Sequence, residues 1–94
     1  YPAVEHDLAI VVDNAVTCED LERRITSAGG KLLEGVRLFD VYRDPIRIGA
    51  GKKSMAFALT YRSDDHTLTS EEVEKAHQKI VTKVCKGVNG EVRG

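Results

Sequence analysis

The segment Lys53–Arg62 constrains the fold of this 94-residue chain most, because large apolar side chains alternate strictly with small or polar ones. Consecutive side chains of a strand point to opposite faces of a sheet, so this pattern predicts a strand with two unlike faces. The first face carries Met55, Phe57, Leu59 and Tyr61, and the second carries Ser54, Ala56, Ala58, Thr60 and Arg62. Burying each large side chain is worth roughly 1.5–3 kcal/mol. We therefore expect helices to cover the first face and the second face to remain open.

Two segments have the start signals and the spacing of amphipathic helices. The first follows Thr17 as N-cap and stops at Gly29-Gly30, where glycine allows a left-handed ending. Its apolar stripe is Cys18, Leu21, Ile25 and Ala28. The second follows Thr69, which forms a capping box with Glu72. Its predicted buried stripe is Val73, Ala76, His77, Ile80, Val81 and Val84.

The order of these elements predicts the fold class. Further strands are expected at Asp7–Asp13 and Val36–Arg43, with a short last strand at Glu91–Arg93. The resulting order βαββαβ predicts an α+β, ferredoxin-like sandwich, in which two helices cover one face of a four-stranded antiparallel sheet. Residues 1–94 are expected to form one domain. Because the chain opens on Tyr1-Pro2 without an initiator methionine, we interpret it as a fragment of a longer polypeptide.

Strand alternation also predicts what the open face presents. Unbroken alternation along Val36–Arg43 turns Phe39 and Val41 toward the helices. It leaves on the open face Leu38, Asp40 and Tyr42, together with Ala9 and Val11 from the first strand. Small side chains beside a tyrosine suit a flat ligand such as an unpaired base, and stacking on a tyrosine is worth about 1–3 kcal/mol per base. The pattern therefore favours recognition of unpaired nucleotides.

Charge is distributed unevenly along the chain. The net charge of −1 excludes a uniformly basic nucleic-acid binder. The segment from Arg37 to Arg62, however, contains six cations and two anions, whereas the remaining residues contain eight cations and thirteen anions. This asymmetry suits an anionic partner that approaches one side.

Several other classes of function are disfavoured. No apolar run approaches the roughly 20 residues of a membrane span, and no signal peptide is visible, so we expect a cytoplasmic protein with reduced cysteines at Cys18 and Cys85. No zinc-type ligand spacing and no nucleophile–base pair is found, so we assign no metal ligand and no catalytic residue. A phosphatase on this fold would need a basic loop at Asp13–Val16, which is acidic. A ferredoxin-like regulatory module for a small ligand remains the alternative.

Motifs along the whole chain carry a family resemblance. They are Pro2-Ala3, Asp7-Leu8-Ala9, Gly30–Glu34, Leu38–Tyr42, Gly51–Ser54, Thr67–Val73 and Arg93. Through them the chain resembles the C-terminal ferredoxin-fold anticodon-binding domain of the bacterial phenylalanyl-tRNA synthetase beta subunit. Two sites depart from the family pattern: His6 stands where arginine is usual, and Arg43-Asp44-Pro45 replaces a glycine usual after the tyrosine.

The resemblance implies a non-catalytic domain that binds the anticodon stem-loop of phenylalanine tRNA. The whole enzyme would be a phenylalanine–tRNA ligase that uses ATP and Mg²⁺ and acts as a heterotetramer of two alpha and two beta subunits. No cofactor is expected in this domain. The RNA-binding residues that the resemblance implies are Ala9, Asp40, Tyr42, Ser54 and Arg93.

Each of these residues has an implied role. Tyr42 would stack on an anticodon base, and Asp40 would accept a hydrogen bond from a base edge such as a guanine amine. Ser54 would bond to a base or a ribose, while Ala9 would form the floor of the site. Arg93 would pair with phosphate or stack on a base.

Overall fold

The computed structural model of the chain describes residues 2–92. Strand β1 spans Val4–Asp13 and is followed by helix α1 at Cys18–Gly29. A short 3₁₀ turn at Gly30–Leu32 leads into strand β2, and strand β3 and helix α2 come next. These elements span Leu33–Tyr42, Lys52–Tyr61 and Ser70–Val88, and the two-residue strand β4 is Glu91–Val92.

The four strands form one antiparallel sheet in the order β2-β3-β1-β4. This is the split βαβ arrangement, in which each βαβ crossover skips one strand position and places its helix on the same face. The predicted α+β, ferredoxin-like fold is confirmed. Strand β2 lies at one edge of the sheet, whereas β1 and β3 form its centre.

Both helix starts are capped as the sequence predicts. The Thr17 side chain accepts a hydrogen bond from the amide of Asp20 at 3.1 Å. Thr69 and Glu72 form a reciprocal capping box, so two of the amides at the start of α2 are satisfied locally. Helix α1 ends at Gly29, and its C-cap is Gly30, whose φ of 62° is available to glycine at little cost.

The core lies between the helices and the apolar face of the two central strands. Strand β1 contributes Leu8, Ile10 and Val12, and β3 contributes Met55, Phe57, Leu59 and Tyr61. The helices add Leu21, Ile25 and Ala28 from α1, and Val73, Ile80 and Val84 from α2. His77 is also buried, and its Nδ1 lies 3.0 Å from the Tyr61 hydroxyl. The strand alternation of β3 thus assigns the two faces of the sheet correctly.

A β-bulge in β2 corrects one part of the sequence-based prediction. Leu38 pairs with Phe57 and packs on the core, whereas Asp40 pairs with Ala56, so Phe39 is an extra residue between them. The predicted positions of Leu38 and Phe39 are therefore wrong: Leu38 faces the helices, and Phe39 is 49% exposed. Val41 pairs with the core residue Met55 but stays 38% exposed, because an edge strand has a neighbour on one side only.

Beyond the bulge the predicted alternation resumes. An inserted residue shifts the faces of all residues on one side of it relative to the partner strand. Here the residues before the bulge lie on the face opposite to the one that unbroken alternation predicts, while Asp40 and Tyr42 lie on the predicted face.

Two further predictions concern the state of the cysteines and the absence of a membrane span. Cys18 and Cys85 are free thiols, as predicted from the sequence. Among residues 2–92, neither helix has the length and the apolar content that a bilayer crossing requires.

Candidate nucleic-acid interface

The open face of the sheet is built from rows of residues that pair across β1, β3 and β2. One row is Ala9, Ala56 and Asp40, and the next is Val11, Ser54 and Tyr42. Side chains that are directly opposite on neighbouring strands share a face and lie about 5 Å apart. The structure therefore brings together four of the five RNA-binding residues that the family resemblance implies. The fifth, Arg93, lies outside the described residues.

Asp40 and Tyr42 form the wall of this surface at the edge strand. The Asp40 side chain is exposed, as a hydrogen-bond acceptor for a ligand must be. Tyr42 is half-buried, and its hydroxyl donates a hydrogen bond to Asp44 Oδ2 at 2.9 Å. With the hydroxyl engaged in this bond, the ring is the part of the side chain that remains for stacking on a base.

Asp44 also organises the loop that follows. Its Oδ1 accepts hydrogen bonds from the amides of Ile46, at 3.0 Å, and Arg47, at 3.2 Å. One carboxylate thus caps the turn with one oxygen and holds Tyr42 with the other. The sequence reasoning missed this role, although an aspartate directly before Pro45 is a recognised signal for such a turn.

A second anchor ties the same loop to the end of β1. The Asn14 amide donates to the carbonyl of Gly51 at 2.9 Å, and the Asn14 side-chain oxygen accepts from Arg43 Nε at 3.3 Å. Lys53 Nζ donates to the Asn14 carbonyl at 3.1 Å. Arg43 and Lys53 are therefore both held at the end of β1, with Lys53 on the helix side of the sheet, where it pairs with the core residue Val12.

The floor between the walls is closely packed. Ala9 and Ala56 are half-buried, and their small side chains let a flat ligand approach the backbone. Ser54 is only 3% exposed, because Tyr42 and Val11 flank it in its row. The floor is thus smoother than the sequence alone suggests, and Ser54 is the least accessible of the implied contacts.

Charge on the open face is divided between its two sides. Strand β1 places Glu5 and Asp7 opposite Thr60 and Ala58 of β3, so these carboxylates lie on the open face. On the β2 side, Arg37 pairs with Ala58 and lies in the row of Asp7. A polyanion is therefore repelled from β1, whereas on β2 the attraction comes from Arg37, because Asp40, one row away, carries a negative charge.

The surface has no metal-ligand constellation in the part of the chain that the structure describes. Residues 2–92 contain no group of three or more His, Cys, Asp or Glu side chains placed to bind one ion. The open face presents the Tyr42 ring, the Asp40 carboxylate as a hydrogen-bond acceptor and the Arg37 guanidinium as a cation.

Comparisons with known proteins agree with this geometry. The family model for the ferredoxin-fold anticodon-binding domain matches residues 1–93. The beta subunit of phenylalanine–tRNA ligase from Clostridium tetani is 45% identical over 93 residues, which are 99% of this chain and 12% of that protein. The corresponding subunit from Bacillus subtilis is 51% identical over 81 residues, which cover 86% of this chain and 10% of that protein.

A third relative has the same description. The phenylalanine–tRNA ligase beta subunit from Corynebacterium glutamicum is 40% identical over 94 residues, 100% of this chain and 11% of that protein. The chain thus spans about a tenth of the length of these relatives, from 10% to 12%. With the family model matched along nearly its whole length and the expected sheet in place, the chain belongs to the ferredoxin-fold anticodon-binding domain family.

Proposed function

We propose that this chain binds the anticodon stem-loop of phenylalanine tRNA through the open face of its sheet. The observation that carries the proposal is the placement of Asp40 and Tyr42 side by side on that face, away from the helices. Beside them lie the small side chains Ala9 and Ala56, which leave room for a base. Sequence-specific recognition of RNA targets unpaired loops, whose bases can be stacked and read on their edges.

The proposed contacts follow from the chemistry of each side chain. Tyr42 stacks on one anticodon base through its ring face, while Asp44 holds its hydroxyl. Asp40 accepts a hydrogen bond from an amino group on a base edge, which favours bases that carry such a donor in the right place. Ala9 forms the floor. Arg93 is retained as a contact to phosphate or a base, on the strength of the family resemblance.

Ser54 has a more restricted role in this proposal. Because its side chain is 3% exposed between Tyr42 and Val11, we assign it first to the support of the tyrosine ring. A hydrogen bond from its hydroxyl to the RNA requires the ring to tilt away when the base enters.

The whole-protein proposals rest on the relatives. We propose that the chain is one domain of a longer phenylalanine–tRNA ligase beta subunit, because it matches about a tenth of such proteins. In that setting the domain itself is non-catalytic. The complete enzyme would join phenylalanine to tRNA in the cytoplasm with ATP and Mg²⁺, as a heterotetramer of two alpha and two beta subunits.

Equilibrium titration with an anticodon hairpin tests the proposal. The chain is titrated with hairpins that carry the phenylalanine anticodon or a single-base change, and the same titration is repeated with Asp40→Ala. We expect the wild type to prefer the phenylalanine anticodon and Asp40→Ala to lose most of that preference. A matched control is Asp64→Ala, which removes an exposed carboxylate from the loop after β3. Equal weakening for all hairpins would leave Asp40 without a reading role.

Equilibrium titration also tests the alternative function, a regulatory module for a small ligand. A ferredoxin-like regulatory module would bind a small metabolite and ignore the hairpin. A saturable signal from a metabolite screen, together with no response to any RNA hairpin, would contradict the proposed function.

A further inference from the structure

We propose that Arg37 binds a phosphate of the RNA that occupies the open face. This inference rests on the proposed function, because it extends the same surface by one residue. Arg37 is not among the residues that the family resemblance implies, and its position follows from the register of β2.

The bulge places Arg37 on the open face. Before the bulge, Val36 pairs with Leu59 and Leu38 pairs with Phe57, and both β2 side chains pack on the core. Arg37 lies between them, so its side chain must project to the opposite face, where it pairs with Ala58. Without the bulge, the alternation that places Asp40 on the open face would turn Arg37 toward the core. The insertion thus allows both side chains to share one surface.

Arg37 also differs from the other arginines in its surroundings. Residues 2–92 contain six arginines, and five of these have a side-chain partner there. Arg23 and Arg24 contact Asp20, Arg43 contacts Asn14, Arg47 lies 3.9 Å from Asp44, and Arg62 lies 3.6 Å from Glu34. Arg37 is exposed and has no such contact within the described residues. Its guanidinium is therefore available to a ligand without the loss of an internal ion pair.

The position of Arg37 suits the backbone of the RNA better than a base. It lies one row along from Asp40, since Ala58 and Ala56 of β3 are about 7 Å apart. It also stands on the edge strand, beyond the floor of small residues on which a base would lie. Across the sheet, in the same row, Asp7 repels phosphate from the β1 side. Asp40, one row away on β2, also repels phosphate, so the favourable place for a phosphate on this part of the face is the guanidinium of Arg37, which can form a charge-assisted pair with it.

Salt-dependent titration with the phenylalanine anticodon hairpin tests this inference on the 94-residue chain. The variants are Arg37→Ala, Arg37→Lys and the control Arg23→Ala, which removes one positive charge from α1 in the helix layer. We expect Arg37→Ala to weaken binding roughly threefold to tenfold at about 0.1 M salt, by a similar factor for every anticodon. The slope of log affinity against log salt concentration should fall by about 0.7–0.9, the value for one lost phosphate contact. Arg37→Lys should keep the wild-type slope, because the positive charge remains.

The outcomes separate this inference from the proposed function. If the wild type does not bind any hairpin, the proposed function fails. If the wild type binds and Arg37→Ala matches Arg23→Ala in affinity and slope, the role of Arg37 is refuted while the proposed function stands. A loss that affects one anticodon and leaves the salt slope unchanged would also refute it, because Arg37 would then read a base. Circular dichroism confirms that each variant is folded.

Discussion

Because of the bulge in β2, we expect Leu38 to contribute more to the free energy of unfolding than Phe39. Unbroken alternation would predict the opposite order. Leu38 packs on the core opposite Phe57, whereas Phe39 is 49% exposed. Replacing a buried leucine with alanine typically costs 2–5 kcal/mol. Since Leu38 is partly buried, we expect Leu38→Ala to lower the free energy of unfolding by about 2 kcal/mol, at the low end of that range. Phe39→Ala should lower it by about 1 kcal/mol or less, as for most exposed positions.

Urea and thermal denaturation, followed by far-UV circular dichroism, measure the difference. For a domain of this size, 1 kcal/mol corresponds to a shift of about 4–8 °C in Tm. Leu38→Ala should therefore lower the Tm by roughly 8–16 °C, about twice or more the effect of Phe39→Ala. Phe57→Ala provides a reference for a fully buried position, because its side chain is 0% exposed and the expected loss is about 3–5 kcal/mol.

The opposite ranking would refute the reasoning. If Phe39→Ala costs about 3–5 kcal/mol and Leu38→Ala costs almost nothing, the alternation of β2 is unbroken. Arg37 would then face the helices, and the inference about its phosphate contact would fall together with the bulge.

Three further predictions concern binding, capping and pH. Tyr42→Phe should keep most of the affinity for the anticodon hairpin, because the ring remains, whereas Tyr42→Ala should lose about 1–3 kcal/mol of binding without unfolding. Thr69→Ala removes the acceptor of the capping box and should reduce the free energy of unfolding by about 1 kcal/mol in urea titrations. His77 is buried beside Tyr61, and burial, reinforced by the nearby charge of His6, lowers the pKa of its imidazole. Below pH 6.5 the unfolded state therefore binds more protons at His77 than the folded state does. The contribution of the neutral, buried His77 to stability is complete above the unfolded pKa near 6.5 and declines as the pH falls below that value. The Tm measured from pH 7.5 to 5 should accordingly fall less in His77→Gln than in the wild type.

Each of these has a result that would contradict it. Equal loss of binding in Tyr42→Phe and Tyr42→Ala would contradict the first, because it would mean that the ring without its hydroxyl and the bond to Asp44 contributes nothing to binding. An unchanged urea midpoint in Thr69→Ala would show that the capping box adds nothing to the stability of α2. A Tm of His77→Gln that falls as steeply with acid as that of the wild type would assign the pH dependence to other groups.

The parts of the fold that were predicted correctly are those whose sequence signals are local. The alternation of Lys53–Arg62 distinguishes two unlike faces, and this assigns the buried side of β3 without knowledge of its neighbours. The caps at Thr17 and Thr69 depend on residues three positions away. Each of these signals is contained in one segment, so it could be recognised from the sequence.

The bulge could not be predicted in the same way. Leu38 and Phe39 are both large and apolar, so neither marks the inserted residue, and the insertion is defined only by the pairing with β3. The low exposure of Ser54 has a similar origin, because Tyr42 and Val11 come from other strands. Asp44 is different, since its position before proline is a local signal that could have been used.

The candidate site was predicted largely through the family resemblance, with support from alternation. Asp40 and Tyr42 lie beyond the bulge, and so their predicted face is correct despite the error at Leu38. Arg37 was missed for the opposite reason, because unbroken alternation would turn it toward the helices.

The central claim, that the open face binds the anticodon, is tested most directly by an NMR titration. Amide signals of the ¹⁵N-labelled chain are followed while the phenylalanine anticodon hairpin is added. We expect the largest shifts at Ala9, Asp40, Tyr42 and Ala56, which share the open face, and small shifts along α1 and α2. Large shifts confined to the two helices, with the open face unchanged, would contradict the account.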